Sequence, residues 1–282
     1  MSTQEHPLGI SFEFFPPNTD AGRERLVGVR DALASRAPRF FSVTFGAGGS
    51  TQDRTLNTVR MVRESGFTTT PHLSCIGSDK GALRELLARY REDGIESLVA
   101  LRGDMPSGMG GGGIGQLRYA NELVEFIREE TGDHFEIAVA AYPESHPQAA
   151  NLEQDLTNFA RKMKAGADIA ITQYFFSAES YFHFVERARA LGVEAPIVPG
   201  IMPITNYTKL ARFSDACGAE IPRWIRKQLE SYGDDSEAIG AFGEELVTRL
   251  CQRLLDGGAP GLHFYTLNQA KPVLRILDNI TG

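Results

Sequence analysis

Short apolar runs rich in Val, Ile, Phe and Thr recur along the chain, and an amphipathic segment follows each. The runs at 9–15 (GISFEFF), 39–46 (RFFSVTFG), 68–75 (TTTPHLSC) and 97–103 (SLVALRG) predict strands. So do 136–142, 168–176, 196–202 and 262–267. Several are too continuously apolar to be half-exposed, the pattern of parallel strands buried on both faces. Within 79–93, Leu83, Leu86, Leu87 and Tyr90 fall at i, i+3, i+4 and i+7, which predicts a helix. Asp79 suits its N-cap and Gly94 the position just past its end. Segment 147–165 repeats the pattern with Leu152, Leu156, Phe159 and Met163. Segment 204–261 is too long for one helix and predicts two or three, one of them near 221–231, and a last helix is expected near 269–280. Eight βα units in 282 residues predict an α/β fold: a single-domain TIM (β/α)8 barrel over 1–282, with extra helices between strands 7 and 8. The rival, a doubly wound open sheet, usually has fewer strands and binds its ligand at a strand-order switch point.

Composition narrows the partners. Acidic residues outnumber basic ones 36 to 29, a formal charge of −7, which argues against a nucleic-acid footprint. No apolar run approaches the ~20 residues that span a bilayer, so no membrane partner is expected. The first residues, MSTQEHPLG, carry neither a basic nor an apolar leader region, so no secretory signal is expected. Cys75, Cys217 and Cys251 are odd in number and far apart, with no CxxC pair. Disulfides and a structural zinc site are therefore not expected, and a reducing cytoplasm is.

In a barrel of this type the chemistry sits at the C-terminal ends of the strands. Those ends offer Glu13, Thr44, His72, Arg102, Asp104, Tyr142, Gln173 and Asn268, with Glu144 and His146 just beyond strand 5. Glu13 interrupts an apolar strand, where a carboxylate is costly unless paired, protonated or used. Burial raises a carboxyl pKa and suits it to general-acid work. The alternative is a Glu held by an internal salt bridge, for instance to Arg102. Arg102-Gly103-Asp104 reads either as a ligand-contacting turn or as a helix cap. His72, Asp104, Glu144 and His146 are metal-ligand types, but no HxH strand pair or HExxH helix accompanies them, and no metal is expected. Gly108, Gly110 and Gly113 match GxGxxG, yet Met105-Pro106-Ser107 separate them from the strand, so the run reads as a mobile loop rather than a dinucleotide turn. Asp155, Asn158, Arg161 and Lys162 form one polar stripe, either a solvated face or a cradle for phosphates and ribose.

Several blocks together resemble the methylenetetrahydrofolate reductase family. They are SFEFFPP (11–17), SVTFGAGGS (42–50), PHLSC (71–75), ALRGD (100–104), AAYPESHP (140–147), ITQYFF (171–176), PGIMPITNY (199–207) and HFYTLN (263–268), in order over nearly the whole chain. The length is similar to that of the bacterial catalytic domain, without the regulatory extension of the eukaryotic enzymes. The resemblance implies a cytoplasmic enzyme of one-carbon metabolism, reducing 5,10-methylenetetrahydrofolate to 5-methyltetrahydrofolate for methionine synthesis. It implies non-covalent FAD, NADH or NADPH as reductant, and ping-pong kinetics. Thr44, Ala47, His72, Arg102, Gly103 and Asp104 would meet the flavin, and Tyr119, Ala120, Tyr142 and His146 would enclose it. Asp155, Asn158, Arg161 and Lys162 would take the ribose, adenine side and pyrophosphate. Glu13, held protonated, would be the general acid at the folate's bridging nitrogen. Asp104 would hydrogen-bond the pterin and disfavour the anionic reduced flavin. Gln173 would meet the pterin edge and Phe213 would cover the stacked ligand.

The chain departs from the family pattern at three positions. Gln269 stands where Arg is frequent, Lys209 where Gln is frequent, and Phe45 where a Tyr is expected. The first two are expected near the benzoyl-glutamate tail, so Lys209 would supply the cation lost at Gln269. A homo-oligomer is expected. The rival functions are a barrel that binds flavin or folate without turnover and a metal-dependent hydrolase.

Overall fold

A computed structural model describes residues 9–45, 49–103 and 115–281. The strands are β1 (Ile10–Phe14), β2 (Phe40–Val43), β3 (Thr69–Ser74), β4 (Ser97–Leu101), β5 (Glu136–Ala141), β6 (Ile169–Thr172), β7 (Ile197–Val198), β8 (Gly200–Ile201) and β9 (Leu262–Tyr265). All pair in parallel, in the order β7-β6-β5-β4-β3-β2-β1-β9-β8. Since β7 and β8 are split by Pro199 alone, the two ends of that order are one stave, and the sheet closes into an eight-stave barrel. This is the expected α/β TIM-like architecture.

The helices α1 (Asp20–Ala34), α2 (Gly49–Arg63), α3 (Lys80–Glu92), α4 (Ala120–Thr131), α5 (Leu152–Lys164) and α6 (Ala178–Ala190) each follow a strand. Then α7 (Tyr207–Cys217), α8 (Arg223–Ser231) and α9 (Ser236–Asp256) lie between β8 and β9, and α10 (Ala270–Thr281) ends the chain. Asp79 caps α3 as its position suggests, accepting from the Ala82 amide at 2.8 Å.

Three expected boundaries shift. The run 168–176 is strand only to Thr172; Tyr174, Phe175 and Phe176 are buried in a turn, where apolar character mimics strand. The helix expected from 147 starts at Leu152, because Asn151 caps it through the Gln154 amide at 2.9 Å. The single strand expected at 196–202 breaks at Pro199, which has no N–H to give a ladder. The seam is stitched instead by a side chain: the Gly200 amide donates to Thr172 Oγ1 at 2.9 Å.

Period-2 alternation divides each strand. Phe12, Phe14, Phe41, Val43, Leu73, Leu98, Ile137 and Phe264 pack outward against the helices in the main core. The inward set is lopsided. Phe40, Val99, Ala138, Ile169, Ile171 and Val198 form a separate apolar cluster on one side. On the other side the staves β9, β1, β2 and β3 carry Ser11, Glu13, Ser42, Thr70, His72 and His263. Branched apolar residues usually fill such barrels; the polar half is a departure that needs a purpose.

Candidate active site

The polar half rises to the C-terminal ends of the strands, where two cavities adjoin. The first, about 390 Å³, is lined by Glu13, Phe15, Gln173, Phe213 and Tyr265 among others. The second, about 540 Å³, is a groove lined by Arg102, Gly103, Tyr119, Ala120, Asp155, Asn158, Arg161 and Lys162. Tyr142, His146 and Gln148 line both, so one ligand can lie in the groove while a second meets it from the first cavity.

Glu13 sits between two imidazoles. His72 Nε2 lies 3.3 Å and His263 Nε2 3.8 Å from its Oε2. Side-chain exposure is 18% for Glu13, 9% for His72 and 1% for His263, so Glu13 is the member that faces a ligand. His263 is fixed from behind by Ser11, Oγ to Nδ1 at 2.7 Å. Burial pushes the Glu13 carboxyl up, but the hydrogen-bonding and charge of His263 and His72 outweigh it and bring it down to about 2. Two expectations are thereby corrected. Burial alone does not hold Glu13 protonated in the ligand-free site, and its partners are the two histidines rather than Arg102. The Arg102 Nε donates instead to the Gly103 carbonyl at 3.2 Å.

The walls are fixed by tertiary bonds. Tyr265 donates from its hydroxyl to the Thr172 carbonyl at 2.7 Å, across the seam. Gly200 makes room for that ring, since a Cβ there would lie 2.6 Å from Tyr265 Cε2. Gln173 Oε1 accepts from the Tyr174 amide at 3.0 Å, which leaves its NH2 as the free end of the amide. Phe213 stands 44% exposed on α7. That helix is docked by the bond between Ser214 Oγ and the Tyr174 hydroxyl at 2.9 Å and by the Glu220 amide donating to Glu144 at 2.7 Å. Burial pushes the Glu144 carboxyl up to about 6, partly opposed by that amide.

In the groove, Gly103 has φ +85, and a Cβ there would lie 1.9 Å from Ser74 Oγ, so the turn accepts only glycine without rearrangement. The Arg102 carbonyl is held by the Ile76 amide at 2.9 Å and Ser74 Oγ at 2.8 Å. Asp155 accepts from the His146 amide at 2.7 Å and so anchors the loop after β5 to α5. Lys162 donates to the Ala140 carbonyl at 2.5 Å. Burial pushes its ammonium down to about 8, with Asp155 opposing. A buried cation bonded to a carbonyl, beside Arg161, fits an anionic ligand such as a phosphate.

Of the sequence-predicted residues, Thr44, His72, Lys209 and Gln269 line neither cavity among the described contacts. His72 acts through Glu13, whereas Lys209 and Gln269 are exposed at the rim. Ala47, Asp104 and most of the glycine-rich run lie outside the described residues. Among the described residues, no group of three or more His, Cys, Asp or Glu is placed to hold a metal ion, and no helix is long and apolar enough to cross a membrane. Sequence reading missed His263 and Tyr265. Their signal was two polar residues at period 2 in an apolar strand, the same signal that exposed Glu13.

Comparison with known proteins places this geometry. A family model described as methylenetetrahydrofolate reductase matches residues 2–281. The 5,10-methylenetetrahydrofolate reductase of Pectobacterium carotovorum is 40% identical over 94% of this chain and 87% of that one. The Escherichia coli enzyme of the same name is 38% identical over 94% and 88%. The Arabidopsis thaliana methylenetetrahydrofolate reductase (NADH) 1 is 38% identical over 99% of this chain, which spans 49% of that longer protein. A solved Clostridium thermocellum protein, described as binding two copies of 5-methyl-5,6,7,8-tetrahydrofolic acid, shares the fold at TM-score 0.68 and 15% identity, covering 96% of this chain and 93% of its own. The extent and identity of these matches establish that the chain belongs to the methylenetetrahydrofolate reductase family.

Proposed function

We propose that the protein reduces 5,10-methylenetetrahydrofolate to 5-methyltetrahydrofolate, with NADH or NADPH as reductant and FAD bound non-covalently in the groove. The observation that carries this reading is the shared wall: a cationic groove and an acid-bearing cavity meet at Tyr142 and His146. When bound, FAD supplies the hydride chemistry. Lys162 and Arg161 hold its pyrophosphate, Asp155 and Asn158 its ribose and adenine side, and Arg102 and Gly103 the turn against its ring. Tyr119, Ala120, Tyr142 and His146 enclose it.

The second cavity wall does the proton work. A proton is shared by the cluster of Glu13, His72 and His263, and Glu13, the member open to the ligand, passes it to the bridging nitrogen of the folate. Covering the cavity with folate strips water from that carboxyl and favours its neutral form, against the pull of the imidazoles. The free NH2 of Gln173 donates to the pterin edge, and Phe213 covers the stacked ligand. Asp104 is assigned to the pterin on family resemblance. One ligand position used in turn by reductant and folate gives ping-pong kinetics.

The direct test is anaerobic spectroscopy of the FAD-loaded protein: NADH or NADPH bleaches the flavin, and methylenetetrahydrofolate restores its colour. No reoxidation by methylenetetrahydrofolate would end the reading. Two further outcomes follow from named residues. FAD affinity is level below about pH 8 and weakens above it, by at most about tenfold per pH unit, because the pyrophosphate needs the Lys162 ammonium. Lys162→Arg removes that dependence, as a fluorescence titration of FAD at several pH values shows. Lys209 lies one helical turn before Phe213 on the same face of α7, and so at the cavity rim. Lys209→Ala raises the folate KM and leaves NADH oxidation intact; an unchanged KM removes Lys209 from tail recognition.

A further inference from the structure

The polar half of the barrel contains more than the acid cluster. Cross-strand register places Glu13 opposite Ser42, and Ser42 opposite Thr70. Thr70 Oγ1 bonds Ser97 Oγ at 2.7 Å, and Ser97 is opposite Glu136. Five successive staves, β1 to β5, thus each present one polar residue in a continuous line. Their side chains face inward: Ser42 shares its face with Phe40, Ser97 with Val99 and Glu136 with Ala138, all three apolar partners being in the interior cluster.

The line also descends. Glu13 is the fourth residue of β1, Ser42 the third of β2, Thr70 the second of β3, and Ser97 and Glu136 the first of β4 and β5. Strands tilt about 36° to the axis of such a barrel, so a path at right angles to them steps from its C-terminal mouth to its N-terminal end. Ser42, Thr70 and Ser97 are 0%, 2% and 8% exposed, whereas Glu136 reaches solvent, where it pairs with Arg39. Ser42 Oγ, fully buried, has no hydrogen-bond partner. A buried hydroxyl left unpaired costs about 1–3 kcal/mol, so its retention calls for a reason.

We propose that this line is a proton inlet that recharges Glu13 from the closed end of the barrel. It rests on the reductase reading above, in which each turnover takes one proton from Glu13 while folate covers the mouth. Glu13, left as carboxylate, receives a proton from Ser42 Oγ–H through one water. Ser42 takes a proton from Thr70, Thr70 from Ser97, and Ser97 from solvent at Glu136. Every hydroxyl ends as it began, and no electrons move. The other route towards Glu13, Ser11 with His263, is buried and flanked by the Phe40 ring, 6.0 Å from the imidazole, which closes it below.

The test is single-turnover reoxidation of the reduced, FAD-loaded protein by methylenetetrahydrofolate, in Ser42→Ala, Thr70→Val and the double variant. Each single variant slows reoxidation by about tenfold or more, within the range that positioned proton transfer contributes. The double variant is no slower than either, since both cut one serial path. The solvent deuterium isotope effect rises in all three, and NADH reduction is unchanged. The melting temperature of Ser42→Ala is unchanged or higher, because an unpaired buried hydroxyl has been removed; a merely structural role would move it down. Full-rate reoxidation in both single variants overturns the inlet, as do losses that multiply in the double variant. Failure of the unaltered protein to reoxidise overturns the reductase reading instead.

Discussion

Glu13→Gln leaves flavin reduction by NADH intact and slows reoxidation by methylenetetrahydrofolate by about 10²–10⁴-fold, the worth of a positioned general acid. Gln keeps the size and much of the hydrogen-bonding shape of Glu, so the cavity and the groove keep their form. What disappears is the one acid of the cluster that faces a ligand, since His263 is 1% exposed behind it. Stopped-flow measurement of the two half-reactions separates the outcomes. Normal reoxidation in the variant would remove Glu13 from its role, and a parallel loss of NADH reduction would mean that the cavity itself had changed. The ligand-free carboxyl, near 2, adds a spectroscopic check: its ionised form should dominate at neutral pH until folate covers the site.

Gly103→Ala releases the flavin. The residue combines φ +85 with a Cβ position 1.9 Å from Ser74 Oγ and 2.9 Å from Ile76 Cγ2. The left-handed backbone costs a side chain about 1–3 kcal/mol, and the overlap forces the end of β3 or the turn itself to move. Either movement shifts Arg102 and the groove wall beside it. The expected result is a lower melting temperature and at least about tenfold weaker FAD binding, on the scale of 1.4 kcal/mol per decade. Gly192→Ala is the control. Gly192 has φ +80 with nothing within 4 Å of the added methyl, so it carries the backbone cost without the overlap. It should melt lower yet retain flavin; full flavin retention in Gly103→Ala would show that the turn does not shape the groove.

Much of the barrel was legible because buried parallel strands announce themselves as short apolar runs, and β1 to β5 were placed within a few residues. The failures share a cause. Periodicity reports burial, and burial is not confined to strands: Tyr174, Phe175 and Phe176 are buried in a turn and read as an extension of β6. The α5 stripe was legible as a face, but only the fold turns that face into a groove wall. Glu13 was legible as an anomaly, yet its state was not. The rule that burial raises a carboxyl pKa is sound and is the largest influence here. It loses to two imidazoles that arrive from positions 72 and 263, distant in sequence. Position alone also left Lys209 and Gln269 at the rim, outside the cavities that the remaining residues form.

The uneven filling of the barrel interior bears on how such an enzyme can be altered. Val99, Ala138, Ile169, Ile171 and Val198 meet only one another on their side of the axis. Volume-conserving exchanges among aliphatic residues there cost less than about 1.5 kcal/mol each. Laboratory evolution can therefore drift freely through that half, accumulating thermostability without touching turnover. The opposite half offers no such freedom, since a gain in packing at Ser11, Ser42 or Thr70 is bought with an oxygen atom.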